Sequence, residues 1–327
     1  MGDNQSAPER ETLKSHTGLV LRSTGSWYEV LDSDSHEVLA CRTQGKLRLS
    51  DDRSTNPIAV GDQVLFMIQE DENTGIITSR QERRNSIVRK SVNLSKETHV
   101  VAANLDHAFL IVTVVNPATS TGFIDRFLVT AEAYQVPVSI VFNKADICTE
   151  GTSEREQLEY LEEVYSKAGI RTLRTSAKTE EGLDSFADAL ASAGVNLLSG
   201  HSGVGKSTLI NALIPGMELR TGEVSDAHQK GKHTTTFAEM FPLPAGGFII
   251  DTPGIKGFGL VHLERDHLHH YFPEFFMRLA SCKFHNCLHR NEPSCAVRDA
   301  VSSGEIAEER YVNYLELYET FESDQYR

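Results

Sequence analysis

Two periodicities divide the chain. From Gly18 to about Ile77 the apolar residues come in short runs, GLVLRS, WYEVLD, EVLACR, NPIAVGDQVLFMI and TGIITSR, broken by Gly, Asp and Asn. Each run is too short for a helix. The pattern predicts a small antiparallel barrel or sandwich, an oligonucleotide-binding (OB-like) barrel being one candidate. From His107 the period changes. HAFLIVTVV, VPVSIVF, RTLRTSAK and VNLLSG read as strands, with IDRFLVTAEAYQ, SEREQLEYLEEVYSKAG and EGLDSFADALAS as helices between them. This alternation predicts a doubly wound parallel α/β sheet, which binds ligands at the carboxyl ends of its strands. Beyond Leu260 the chain turns rich in His, Phe and Tyr, then in Cys, and ends in an acidic helical segment from about Gly304 to Tyr326.

These shifts predict four parts in the 327 residues: a disordered N-terminus (1–15), an OB-like barrel with a basic linker (16–90), the α/β domain (91–260), and a mainly helical C-terminal domain ending in a helix (261–327). The formal net charge of -14 argues against non-specific coating of nucleic acid, although local basic patches can still touch it. The clearest such patch is Arg80, Arg83, Arg84, Arg89 and Lys90 against Glu82 alone. It reads as a solvated linker or as a contact for a phosphate backbone. No apolar run is long enough to cross a bilayer, and the polar N-terminus lacks the apolar stretch of a signal peptide, so a cytoplasmic location is expected.

Nucleotide chemistry enters through four short motifs. GHSGVGKS, at Gly200, His201, Ser202, Gly203, Val204, Gly205, Lys206 and Ser207, lies between a strand and a helix that opens with Thr208. Its glycines let backbone N–H groups face phosphate oxygens, and the helix adds its positive end. Lys206 is predicted to reach the β- and γ-phosphates and Ser207 to ligate Mg²⁺. DTPG follows an apolar strand; Asp251 is predicted to hold Mg²⁺ and the Gly254 N–H to sense the γ-phosphate. Alone it would read as a plain turn. Between them, GKHTTTF offers Thr234 or Thr235 to Mg²⁺, with Thr235 favoured.

NKAD at Asn143, Lys144, Ala145 and Asp146 and SAK at Ser176, Ala177 and Lys178 are guanine readers. The Asp146 carboxylate accepts from N1–H and the exocyclic amine of guanine, which adenine does not offer. Asn143 braces the loop, the Lys144 stem packs over the base, and the Ala177 N–H meets O6. The guanine readers precede the phosphate loop, whereas an ordinary GTPase has the reverse order. The set says GTPase and the order says circularly permuted. Ile255 stands where many GTPases carry a water-orienting Gln, so slow intrinsic hydrolysis is expected, with His233 as candidate water-positioning group.

Cys282, Cys287, His289 and Cys295 supply three thiolates and an imidazole, a donor set suited to one closed, structural Zn²⁺. Arg278, Lys283, His285, Arg290 and Arg298 make this a basic knuckle able to meet RNA phosphates. His262, His267, His269 and His270 read as a helix surface rather than a second metal site.

NKAD, SAK, GHSGVGKS, HTTT, DTPG and the Cys-x4-Cys-x-His-x5-Cys knuckle, in that order, resemble the bacterial RsgA family, also called YjeQ or YloQ, over nearly the whole chain. The resemblance implies an OB-fold barrel, a circularly permuted P-loop GTPase domain and a zinc domain. It implies GTP hydrolysis to GDP and phosphate, stimulated by the small (30S) ribosomal subunit, late in that subunit's maturation. Contacts with 16S rRNA, a monomeric state, Ile255 as the family's apolar replacement for Gln and His233 as its catalytic His follow from the same likeness; Lys206 and Thr235 complete the expected catalytic set. Two other readings stay open on residues alone. One is a signalling GTPase with a protein partner; the other is an RNA-binding protein that holds nucleotide but barely hydrolyses it.

Overall fold

The computed structural model describes residues 14–43, 56–69, 72–90, 98–214, 216–217, 238–251 and 263–325. Of the expected disordered N-terminus, residues 1–13 lie outside these. Strands β1 (Ser15–Ser23), β2 (Tyr28–Asp32), β3 (Val38–Thr43), β4 (Gln63–Gln69) and β5 (Thr74–Arg80) follow in sequence. Their spatial order is β1-β2-β3-β5-β4, and β1 also pairs with β4. The sheet therefore closes on itself, which selects the OB-like barrel over the sandwich. Alternate side chains fill it: Val20, Tyr28, Val30, Leu39, Cys41, Val64, Phe66 and Ile77 form one buried cluster. Gly75 is required there, because a Cβ would run into the Cys41 thiol.

The ends of the basic stretch lie in strands, and residues 81–85 connect them. Strands β6 (Ser86–Lys90) and β7 (Thr98–Ala103) form an antiparallel hairpin directly after the barrel. Two of its cations are used internally. Arg83 donates twice to the fully buried Asp62, each bond 2.7 Å, and Arg84 pairs with Asp106 at 2.7 Å. The phosphate-backbone reading loses Arg83, whose guanidinium is committed to a buried carboxylate, while Arg84 makes an exposed pair and keeps its outer face in solvent.

The α/β domain uses β8 (His107–Val112), α1 (Thr121–Ala133), β9 (Val138–Phe142), α2 (Ser153–Lys167), β10 (Arg171–Arg174), α3 (Leu183–Ala193), β11 (Val195–Ser199), α4 (Lys206–Leu213), β12 (Glu239–Pro242) and β13 (Phe248–Asp251). Strand order is β10-β9-β8-β11-β13-β12, parallel except at the β12 edge. Period-two alternation sends Ala108, Leu110 and Val112 to the face under α1 and α2, and Phe109 and Ile111 to the face under α3 and α4. The barrel joins this sheet through the Arg22–Glu239 bridge.

The C-terminal domain holds α5 (Pro273–Phe276), α6 (Ala296–Ser302), α7 (Glu308–Gln325) and short 3₁₀ turns. Its core of Leu268, Phe272, Phe275, Val297, Ile306, Tyr314, Leu317 and Tyr318 also takes in Val129 from α1. Beside that contact lies a buried charge cluster. Arg310 Nη1 donates to Asp125 at 2.6 Å, its Nε and Nη2 donate to Glu274 at 2.8 and 3.1 Å, and Asn313 donates to Asp125 at 2.7 Å. Burial alone would lower the pKa of Arg310, but the two carboxylates outweigh it and hold the guanidinium above its ordinary value. Cutting one member leaves a charge buried and unpaired. Arg310→Ala is expected to cost about 3–5 kcal/mol in urea unfolding of the metal-loaded chain; a change near zero would show that the cluster does not hold the two domains together.

Candidate functional site

The carboxyl ends of β8, β9, β10, β11 and β13 open on one edge of the sheet. Phe142 pairs with both Val112 and Arg174, and Leu198 with Asp251, so the segments starting at 113, 143, 175 and 200 and the Asp251 side chain emerge together. Here the expected guanine and phosphate loops meet. Asn143 Nδ2 donates to Val204 O at 2.8 Å, and Thr175 Oγ1 donates to Asn143 Oδ1 at 3.1 Å. The amide is buried and ties three loops. Gly205 has φ +94°, and a Cβ there would collide with Asn143 Nδ2. Gly200 is equally constrained, because its Cβ would strike Ile111 O.

Lys144 adopts a left-handed backbone, φ 60°, and its ammonium donates to Gly203 O at 2.8 Å and to Asn116 O. Its stem thus spans from one loop to the other. Ser176 Oγ donates to Asp146 Oδ1 at 2.7 Å, while the exposed Lys178 ammonium stands 3.8 Å from Oδ2. Asn143, Lys144, Asp146, Ile147, Ser176, Ala177, Lys178, Gly205 and Thr208 line a cavity of about 210 Å³. A planar base fits a slot with an apolar side at Ile147 and a carboxylate at its rim. Ile147, Thr175 and Asn116 belong to no motif of their own; only a place beside NKAD and SAK signals the first two.

Lys206 opens α4 and donates to Gly200 O at 2.6 Å and His201 O at 2.9 Å, using two of its three protons. Ser207 and Thr208 follow in the first helical turn, where free N–H groups and the helix dipole favour an anion. Burial lowers the pKa of Lys206 and raises that of Asp251, and their mutual attraction offsets part of each shift. Both ionised forms are therefore under-solvated, a condition that a bound polyphosphate and divalent cation relieve. Ser202 and Val204 complete the loop, with Val204 buried. His233, Thr234, Thr235, Gly254 and Ile255 lie outside the described residues.

A second centre lies in the C-terminal domain. One donor atom from each of Cys282, Cys287, His289 and Cys295 falls within 4.8 Å of the others. His289 Nδ1 faces the thiols, 3.7 Å from Cys282 Sγ and 3.3 Å from Cys295 Sγ. Burial holds the imidazole neutral by lowering its pKa to about 4. Four such donors, three of the residues buried, fit a metal ion held in a closed shell. The knuckle is built around Glu292, which accepts from the N–H groups of Leu288, Arg290 and Asn291 at 2.8, 2.7 and 3.0 Å. Burial pushes the Glu292 pKa up, but these bonds outweigh it and keep the group ionised. Of the expected basic knuckle, Lys283, His285 and Arg298 are exposed, whereas Arg278 pairs with Glu305 and Arg290 lies over the Tyr318 ring. His269 departs from the expected surface position: it is 4% exposed, its ring 5.1 Å from that of His289. His262 lies outside the described residues.

Comparison with known proteins agrees with this geometry. The RsgA GTPase family matches residues 80–261, and the RsgA N-terminal domain family matches residues 17–77. A small ribosomal subunit biogenesis GTPase RsgA from Bacteroides fragilis is 52% identical over 310 residues, covering 95% of this chain and 98% of that protein. Its counterpart from Christiangramia forsetii is 51% identical over 312 residues, covering 95% and 98%. Among solved structures, YjeQ from Thermotoga maritima superposes with a TM-score of 0.77 at 34% identity, covering 94% of this chain and 98% of that one. YloQ, described as a circularly permuted GTPase, superposes at 0.73 with 28% identity, covering 97% and 99%.

The metal centre makes its own prediction. Cobalt(II) added to the reduced, metal-free chain should give tetrahedral thiolate absorption that saturates at one ion per chain. Because burial pushes the Cys287 thiol up to about 12 in the metal-free state, binding should release protons. Cys295→Ser should lose the band; an unchanged spectrum in that variant would remove Cys295 from the ligand set.

Proposed function

Because the chain belongs to the RsgA family of circularly permuted GTPases and is a GTP hydrolase, we propose that it acts in the biogenesis of the small ribosomal subunit, binding the 30S particle late in maturation and hydrolysing GTP faster there. The observation that carries this reading is the meeting of NKAD, SAK and the phosphate loop at one sheet edge, in a chain that matches the family along nearly its whole length.

In this reading the nucleotide lies across the cavity, its base toward Asp146 and its phosphates in the loop from Gly200 to Ser207. The Asp146 carboxylate, already oriented by Ser176, accepts from guanine, and the Ala177 N–H donates to O6. Lys206 and the backbone of residues 200–205 bind the phosphates. Ser207, Thr235 and Asp251 would hold Mg²⁺, which would supply positive charge to the phosphates when bound. Water attacks the γ-phosphorus as the bond to the β–γ bridging oxygen breaks, and His233 orients that water in place of the missing Gln. Gly254 contacts the γ-phosphate. Because DTPG runs directly into the C-terminal domain, loss of that phosphate changes the domain's stance on RNA. Zn²⁺ held by Cys282, Cys287, His289 and Cys295 would supply rigidity and no chemistry. Lys283, His285 and Arg298 offer charge to 16S rRNA. The protein works as a cytoplasmic monomer; among the described residues no helix is long and apolar enough to cross a membrane.

The test is GTP turnover by the zinc-loaded chain with and without purified small subunits, with large subunits and ATP as controls. Small subunits alone should accelerate turnover, and His233→Ala should lose most of that acceleration while still binding GTP. Tight GTP binding with no response to small subunits would move the protein to another partner. Separately, Asp146→Asn replaces one acceptor by a donor. It should weaken GDP binding by roughly 10⁴-fold and favour xanthosine diphosphate, whose base carries a carbonyl at C2; equal GDP affinity in the variant would take Asp146 out of base recognition.

A further inference from the structure

One ten-residue segment touches both the phosphate loop and the C-terminal domain. At its start, Asn116 O accepts from the Lys144 ammonium, and Pro117 packs against Gly203. At the head of α1, which Ser120 caps, the Phe123 ring stacks on His201, centroids 3.8 Å apart and planes 33° apart. His201 is the second residue of the phosphate loop. Its ring stays neutral, because burial and the Lys206 charge both lower its pKa, and it packs as a flat surface.

Two residues further on the same helix points the other way. At 100° per residue, Phe123 and Asp125 stand about 200° apart around the axis. Asp125 is 0% exposed and receives Arg310 and Asn313 from α7. Val129, one turn on, enters the C-terminal core. The remaining face, Ile124, Phe127, Leu128 and Ala131, is fixed on the sheet. The helix is held on three sides, so a load on α7 has no soft layer to dissipate in before it reaches the phosphate loop.

We infer that Phe123 is a positioning residue for the phosphate loop, and that the buried Arg310–Asp125–Asn313 clamp makes the loop's placement depend on the docked C-terminal domain. This route is separate from the covalent one that follows DTPG, and it rests on the phosphate-site reading above. Linkage makes it reciprocal: whatever the clamp does to nucleotide affinity, nucleotide does to the clamp.

The experiment is a double-mutant cycle read by equilibrium titration of the zinc-loaded full chain with a fluorescent N-methylanthraniloyl GDP. Phe123→Leu removes the ring under His201. Asn313→Ala removes one donor to Asp125, at a site away from the phosphate loop. Each single change should weaken GDP binding by roughly 2- to 30-fold, the range of long-range couplings, and the double variant should bind no worse than the weaker single. Affinity losses that multiply, or an Asn313→Ala variant with parental zinc content, melting and GDP affinity, would overturn the inference. Should Asn313→Ala fail to fold, amide exchange along α7 in the parent replaces it: GDP should slow exchange there, and unchanged rates would refute the coupling. Failure of the parent itself to bind GDP would instead refute the phosphate-site reading.

Discussion

The site depends on one buried amide. Asn143 gives its N–H to the carbonyl of Val204 and takes the hydroxyl proton of Thr175, so a single side chain joins the base loop, the SAK loop and the phosphate loop. The partners are 61 and 32 residues away in the chain. Permutation changes which loop is made first and leaves this junction intact, because a hydrogen bond fixes where two loops sit and is indifferent to the direction of the chain between them. The constraint also works backward on sequence: Gly205 must lack a side chain for the amide to reach across. Losing the amide would strand a buried carbonyl and a buried hydroxyl at about 1–3 kcal/mol each.

The C-terminal domain is small, and a thin core leaves it short of apolar burial. Two devices make up the difference. The Cys₃His shell closes the knuckle that Glu292 organises, and the Arg310 cluster docks the domain on α1. A buried ion cluster stabilises little relative to apolar packing of the same volume, but it is costly to break and demands one geometry. It favours a domain that sits in a defined place over one that is merely stable.

Legibility in the sequence followed the chemistry. The phosphate and base loops could be read because few residue types do those jobs at those spacings, and β8, β9 and β11 could be read because buried parallel strands are continuous apolar runs. The barrel was visible as short strands, but its closure needed the β1–β4 and β3–β5 pairings, which no local pattern encodes. The hairpin of β6 and β7 was hidden under a run of basic residues. Arg83 and Arg310 look like ordinary surface cations until Asp62 and Asp125 are found opposite them, the latter 185 residues away. His269 carried no sign that it would be buried beside a metal-centre histidine. In each case a polar residue's role was set by a partner remote in sequence.

The base loop and phosphate loop, brought together by Asn143, should form one guanine nucleotide site. Calorimetric titration of the zinc-loaded chain with GDP and with ADP tests it most directly. GDP should bind with one site per chain, while ADP, which presents the same phosphates but none of the N–H groups that Asp146 accepts, should bind orders of magnitude more weakly. Equal affinity for the two would mean that the loops meet without reading the base, and would contradict a guanine site at this sheet edge.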